Sequence, residues 1–418
     1  MASTGDTAPS EAAQRAELER NLSLIPLHQA LTGALVWLPV FVLFTRARFD
    51  LDGALALASA YYFFVVALEV PSGWMSDRLG RVLTLRVAAV AWIGAHLCFL
   101  VGDDTFMVIM LGQFLLAAGF ASLSGTDVTF HYDTLESLDR ADEYADRQAK
   151  VASIVYVSTS VSALVGGLLG LVDVRLAFLA SLLLAVAQLG VALRFGEPIA
   201  TTHAERFGRQ VALCFGYLKQ RYLGWLFFYG VVTVTLVHVA FTVMQPWLTA
   251  VLDRPADDLG STPLVAGVIY AVTALVGSVA ARASAPVARR IGIVPTLIGL
   301  GAVSALVVSG MALWVNAVVL VLVSLRSVQG AAAPVLVSAA VSPRVERHHR
   351  ATLLSLNSLV GRLGYGLVLL FVAAGAEDDV QRVLGTLAAV AWALVAVLGV
   401  TAMVFTRGRQ TSLQPDPP

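Results

Sequence analysis

The sequence predicts an all-α polytopic membrane protein with twelve spans in two halves of six. Three observations predict it. Hydrophobic residues fill 58% of the 418 positions and charged residues only 13%, whereas a soluble domain is about a quarter charged. Apolar runs of the roughly 20 residues that cross a hydrocarbon core recur from end to end. Lys and Arg gather in alternate connections: with the N-terminus cytoplasmic, about 21 fall in inside segments and about 5 in outside ones, with Arg326 and Arg362 within spans. Both termini are therefore expected on the cytoplasmic side of a plasma or inner cell membrane, and the lipid bilayer is the first partner implied.

Residues 1–22 are polar and mixed in charge, without the short apolar core and small-residue cleavage site of a signal peptide. They read as a cytoplasmic segment, and the first apolar run as a retained span. The first half, 23–195, holds spans near Leu24–Phe44, Gly53–Pro71, Thr84–Val101, Phe106–Gly125, Val151–Leu171 and Leu176–Phe195. Residues 196–221 place Arg206, Arg209, Lys219 and Arg221 among Phe207, Val211, Phe215 and Leu218. That pattern fits an amphipathic surface helix and a solvated linker equally. The second half, 222–405, holds spans near Leu223–Leu248, Val265–Ala283, Val294–Trp314, Ala317–Ala340, Leu353–Ala374 and Val383–Phe405. Residues 406–418 end in Gln-Pro-Asp-Pro-Pro and read as a disordered tail. The outside loops are short and often acidic: Asp103-Asp104, Asp253 to Asp258 and Glu377 to Asp379.

A formal net charge of zero points to no nucleic-acid partner. Cys98 and Cys214 lack any paired spacing, so neither a disulfide framework nor a zinc site is expected. No nucleophile, metal or phosphate-loop constellation is present in the pattern, which points away from an enzyme, a metal centre or a cofactor.

The chain is organised around Glu69-Val-Pro-Ser-Gly73-Trp-Met-Ser-Asp77-Arg78-Leu-Gly80-Arg81-Val-Leu-Thr-Leu-Arg86, read as a short charged turn between two apolar runs. Gly73 and Gly80 permit close approach and a tight reversal, Asp77 can cap the following helix, and Arg78, Arg81 and Arg86 mark the inside. The stretch resembles the Gly-x-x-x-Asp-Arg-x-Gly-Arg loop between the second and third helices of the major facilitator superfamily, with the Glu-Val-Pro found in one prokaryotic efflux-type branch. A weak repeat runs from Gly277 to Arg282 and on through Arg289-Arg290-Ile-Gly292, where the basic residues and end glycines recur but the aspartate does not. Ser124-Gly-Thr-Asp127-Val-Thr-Phe-His131-Tyr132-Asp133-Thr-Leu and Arg350-Ala-Thr-Leu-Leu-Ser-Leu-Asn357 resemble further segments of that branch. The superfamily's antiporters usually carry Arg-x-x-x-Gly in the fourth helix, where this chain has Leu115 and Gly119; the spacing appears instead as Arg326-Ser-Val-Gln329-Gly330 in the tenth. Of their Gly-Pro-x-x-Gly-Gly in the fifth helix only Gly166-Gly167 remains.

The resemblance implies two six-helix bundles around a central cavity, and a gate in which Asp77 caps the inner end of the eleventh helix while Arg81 pairs with Asp133 or Asp127. Gly73, Asp77, Arg78, Gly80, Arg81 and Asp133 form that motif. Polar groups at membrane depth are tolerated only against a cavity or a partner. Burial raises a carboxylate's pKa and a nearby Arg lowers it, so Glu69 and Asp127 are candidate proton carriers, each with a structural pair as the alternative. His28 and His238 are further candidates, although a lone histidine on a span, His96 included, is more often a packing residue. Candidate cavity residues are Trp37, Tyr61, Tyr62, Gln113, Tyr156, Gln245, Tyr270, Arg326, Gln329, Asn357 and Arg362. Arg326 lies about nine residues, roughly 14 Å, into its span, and is either a substrate or coupling group or half of an internal pair. Arg362 is either a packing arginine or a ligand contact, and Trp247 and Trp314 fit interfacial anchors. The function expected is proton-coupled efflux of a small, partly apolar organic compound; uptake or facilitated diffusion of a metabolite, and a transporter-like sensor or assembly partner, are the alternatives.

Overall fold

A computed structural model describes residues 11–49, 51–198, 206–252, 263–314, 319–375 and 380–405. A backbone in lipid must satisfy its own N–H and C=O groups, which favours helices, and no strand occurs among the described residues. The helices are α1 (Glu11–Gly33), α2 (Phe41–Arg46), α3 (Leu51–Leu79), α4 (Arg81–Val101), α5 (Phe106–Leu123), α6 (Thr126–Glu136), α7 (Tyr144–Val172), α8 (Val174–Ala192) and α9 (Phe207–Tyr217). They continue with α10 (Arg221–Leu252), α11 (Pro263–Ile291), α12 (Ile293–Leu313), α13 (Val319–Ser324), α14 (Ser327–Val341), α15 (Arg350–Gly375) and α16 (Val380–Phe405). Nine helical segments among the described residues are long and apolar enough to cross a membrane. Helices α3, α10 and α15 add 29, 32 and 26 residues, each longer than a crossing requires.

Several boundaries differ from the apolar runs. The first helix begins at Glu11, inside the segment expected to be a cytoplasmic extension, because Leu18 and Leu22 pack into the core and Asn21 exchanges hydrogen bonds with the Gly196 backbone. Two expected spans are interrupted, and a third, expected to end at Gly125, resumes past a break there as α6. The chain breaks between Gly33 and Leu38, at Ser124-Gly125 between α5 and α6, and at Leu325-Arg326 between α13 and α14. Gly125 makes its break with φ +73°, a conformation that suits only glycine well.

The stretch read as a charged turn is helical up to Leu79, through Pro71 and Asp77. The reversal is made by Gly80 alone, at φ 109° and ψ 152°. Gly292 repeats it between α11 and α12 at φ 91° and ψ 155°. Four residues on, Thr84 and Thr296 each donate a hydroxyl hydrogen bond to their glycine's carbonyl, at 3.0 and 2.7 Å. The internal repeat read in the sequence is thus a repeated backbone turn. Both turns lie between an apolar helix ending in arginine and an apolar helix beginning again, so one residue with φ > 0 is enough to reverse the chain.

Two antiparallel seams join the first half of the chain to the second. Along α7 and α11, Ser153 meets Ser278 at 2.8 Å and the Ser160 hydroxyl donates to the Ala271 carbonyl at 2.9 Å. Gly167 follows at the same seven-residue step, where a Cβ would lie 2.8 Å from the Pro263 carbonyl oxygen. Small residues every seventh position are what permit this approach. Along α3 and α15, Gly73 faces Ser355, whose Oγ would lie 2.7 Å from an added Cβ. The buried apolar side chains otherwise segregate: one cluster draws mainly on residues 18–195, with Ala285, Val335 and Ala339 reaching it, and the others on residues from Cys214 onward, with Val70 reaching across.

Candidate functional site

At the end of the helices that carries Gly80, six charged side chains close the seam between the halves. Asp77, wholly buried on α3, accepts from the backbone N–H groups of Ala351 and Thr352 at 3.3 and 2.8 Å and from the Thr352 hydroxyl at 2.5 Å. It therefore caps the first turn of α15, whose free N–H groups and dipole favour an anion. Arg81 Nη1 forms an ion pair with Asp77, Nε donates to Asp133 at 3.2 Å, and Nη2 donates to the Arg347 carbonyl at 2.7 Å. Arg350 donates to Asp133 at 2.7 Å and to both carboxylate oxygens of Glu136 at 3.0 Å, and Arg347 donates to Glu136 at 3.0 Å. Three carboxylates thus face three guanidiniums. The balance matters because Asp77, Asp133, Arg81 and Arg350 are all at most 5% exposed along their side chains, and a buried charge without a partner costs several kcal/mol.

Glycines set the distance across this seam. Besides Gly73, Gly125 presses on the turn, where an added Cβ would lie 2.9 Å from the Ala351 carbonyl oxygen. Ser355 donates to the Ser124 carbonyl at 3.0 Å beside it. Arg78 lies outside the network, exposed and with its guanidinium 4.9 Å from the Trp74 ring centre. Asp77 does not cap α4, the helix after its own. Glu197 does, accepting from the N–H groups of Arg81 and Val82 at 2.8 and 2.9 Å. Burial pushes the Glu197 carboxyl above the usual carboxylate range, opposed by those same N–H bonds.

Further into the seam Glu69 is wholly buried on α3. It accepts a hydrogen bond from the Ser124 hydroxyl at the α5–α6 break and faces Arg362 Nε of α15 at 3.5 Å. Asp127, in the first turn of α6, accepts from Gln29 at 3.0 Å and from the Val128 N–H at 2.7 Å. It lines a cavity of about 230 Å³ with Gly230, Thr233, Ser338, Asn357 and Ser358, so the walls come from both halves. Arg81 is paired with Asp133 and not with Asp127.

The remaining candidates divide by environment. Arg326 stands at the α13–α14 break, within electrostatic reach of Tyr156 on α7 and Tyr270 on α11. Tyr61 packs edge-on to Tyr62, at 5.5 Å between ring centres, and Tyr62 is 39% exposed. Gln329 ties α14 to α10 by donating to Thr233 at 3.1 Å, and Asn357 donates to the Phe227 carbonyl at 2.6 Å. Others are structural in their contacts. Trp37 is in the apolar core against Phe41, Gln113 donates to the Leu57 carbonyl at 3.3 Å, His28 packs on Phe195 and His96 on Phe99. His238 sits 2.7 Å from the Val234 carbonyl, against Tyr365. The side chains of Gln245 and Trp247, and the acidic loops 253–258 and 377–379, lie outside the described residues.

The linker contributes more than either sequence reading of it. Helix α9 buries Gln210, whose amide donates to Asp77 at 3.0 Å, to the His348 carbonyl at 2.8 Å and to Thr352 at 2.9 Å. Sequence reasoning missed Gln210, Glu136, Glu197, Arg347 and Gln29. Glu136 carried a usable signal, since it follows Asp133 by three residues on one helix and so shares its face. A neutral glutamine in a basic linker carries none.

A family model described as the Major Facilitator Superfamily matches residues 27–369. No curated protein matches the chain in sequence. Among solved structures, the chain is similar to the E. coli fucose:proton symporter, at 13% identity and a TM-score of 0.68 over 92% of this chain and 98% of that one. It is similar to a bacterial homologue of the iron transporter ferroportin in the outward-facing state, at 15% identity and 0.69 over 92% and 99%. The human organic anion transporter TETRAN matches at 15% identity and 0.65 over 94% and 100%. At these identities the structures speak for the fold.

Proposed function

The chain belongs to the Major Facilitator Superfamily, a family of membrane transporters, and from that premise we propose that it is a proton-coupled exporter of a small, partly apolar organic compound. The proposal places twelve spans in two six-helix bundles, residues 23–195 and 222–405, in the cell membrane with both termini and the Gly80 end cytoplasmic. Access alternates about the central cavity. On this reading the network of Asp77, Arg81, Asp133, Glu136, Arg347 and Arg350 latches the cytoplasmic side.

The observation that carries proton coupling is the buried Glu69–Arg362 pair, because its partners sit on opposite sides of the seam that must open. When α3 and α15 separate, the carboxylate loses its guanidinium and a proton replaces it as counter-charge. When they close again, Arg362 displaces that proton. Asp127, which lines the cavity without an ion pair among the described residues, is the second acid able to exchange with substrate. The aromatic residues Tyr61, Tyr62, Tyr156 and Tyr270 support a partly apolar substrate, and Arg326 and Arg362 supply its polar contacts.

The test uses Glu69→Gln in proteoliposomes with an imposed pH gradient. We expect uphill, gradient-driven movement to be lost while substrate exchange at equal pH continues. Full gradient-driven accumulation by Glu69→Gln would remove this residue from coupling. Export is distinguished from import by whether substrate moves against the inward proton gradient or with it.

A further inference from the structure

The turn between α14 and α15 gathers a cluster that the transport reading does not use. Glu346, His348 and His349 each offer a ligand atom, and all three atoms lie within 4.8 Å of one another. Glu346 Oε2 is 3.1 Å from His348 Nε2 and 3.9 Å from His349 Nδ1, and the two imidazole centres are 4.2 Å apart. Ligands held at about 2.1 Å from a tetrahedral zinc ion stand about 3.4 Å from each other. The cluster therefore needs shifts of only about an ångström to become a coordination set.

Its surroundings are those of a site. The Tyr217 hydroxyl of α9 lies 3.0 Å from His349 Nδ1 and accepts from the Glu346 N–H at 3.4 Å, so it holds the turn against α9 and gives up Nδ1 when that nitrogen takes the ion. Leu213, Gly216, Tyr217 and Gln220 wall a cavity of about 440 Å³ together with the three residues, leaving room for an ion and its waters. Two imidazoles with one carboxylate select a borderline transition metal over calcium or magnesium, which prefer all-oxygen sets.

We propose that Glu346, His348 and His349 bind a divalent transition-metal ion of the zinc class, with water completing the coordination. The site lies against the latch. Arg347, between the ligands, accepts from Arg81 through its carbonyl and reaches Glu136 with its guanidinium, and the His348 carbonyl accepts from Gln210. An ion that stiffens this turn holds both contacts in place and favours the latched state by as much as it prefers that state. The proposal is independent of which substrate is carried and of proton coupling.

The test is calorimetric titration of ZnCl2 into full-length protein purified without a polyhistidine tag and stripped of metal, with MgCl2 in parallel. We expect one saturable zinc site per chain and no magnesium binding. His348→Ala and Glu346→Gln should each weaken zinc binding at least about tenfold, with the metal-free melting temperature unchanged, since Glu346 is exposed and His348 half-buried. Either variant alone decides the matter if the other folds poorly. Absence of saturable binding, or unchanged affinity in the folded variants, would overturn the site.

Discussion

Asp77→Asn is the perturbation that most directly tests the latch. The native carboxylate serves Arg81, two N–H groups of α15, the Thr352 hydroxyl and Gln210 at once. The amide keeps one acceptor oxygen but turns an NH2 group toward donors, and it leaves three guanidiniums facing two carboxylates. Breaking a buried ion pair by removing one partner costs about 3–5 kcal/mol. The lower end applies, because Arg81 retains Asp133. The Arg81 pair lies within the first half and persists when the seam opens. The bonds from Thr352 and Gln210 cross it, and at about 1.5–3 kcal/mol for a hydrogen bond to a charged group weakening two of them costs the latched state alone about 3 kcal/mol. At 1.4 kcal/mol per decade, about 3 kcal/mol shifts the latched-to-open ratio roughly 100-fold. The assay is a spin-label distance between Arg78→Cys and Glu346→Cys, both exposed and on opposite sides of the α3–α15 seam, with Cys98 and Cys214 replaced by serine. We expect the distance population to move to longer values and transport to fall at least about tenfold, with the protein still folded in the membrane. An unchanged distance distribution together with normal transport would refute the argument.

Gly125→Ala should weaken the same latch by a different route. Its φ of +73° costs an L-residue roughly 1–2 kcal/mol, and its Cβ would press on the Ala351 carbonyl oxygen, so thermal stability should fall by several degrees; an unchanged melting curve would mean the α5–α6 break relaxes freely. Arg326→Lys keeps charge but loses the planar five-donor fork, and is expected to impair transport far more than melting temperature; normal transport would remove guanidinium geometry from substrate recognition. For orientation, Asp104→Cys should react with an impermeant thiol reagent on intact cells and Arg290→Cys only after permeabilisation, the reverse pattern inverting the topology. Arg289→Ala removes an exposed pair with Asp146 and should change transport less than about twofold, as exposed pairs contribute at most about 1 kcal/mol; a large loss would show a second latch.

What the amino-acid pattern revealed, and what it hid, follows from range. Helix identity was legible because lipid leaves little alternative to a helix for a long apolar run. The breaks were legible only in part. Ser124-Gly125 holds a residue suited to positive φ, whereas Leu325-Arg326 holds none and interrupts a run that hydropathy shows as continuous. The aspartate and arginine of the Gly80 stretch stood out as charges in a spaced motif. Asp133 and the capped helix came through the resemblance alone. Thr352 and Gln210 went unmarked, because they lie 275 and 133 positions from Asp77 and neither carries a charge that local pattern would mark.

The repeat explains why only one side of the seam is built as a latch. Both halves carry the same glycine turn and the same threonine bond, yet the first keeps an aspartate inside its last helical turn and the second has none. On the first side Asp77 is buried and reaches across to the start of α15, so its charge is desolvated and fully engaged. On the second side the roles are exchanged: the last turn of α11 supplies Arg289 and the facing helix α7 supplies Asp146, about half exposed on each partner. Water screens that pair but not the other, and the same chemical groups differ several-fold in effect. The α7–α11 side, with its seam of serine and glycine, can slide or pivot at little electrostatic cost. The α3–α15 side must break a charge-balanced network before it parts. Opening of this end is therefore governed from the Asp77 side, where the turn carrying Glu346, His348 and His349 also sits.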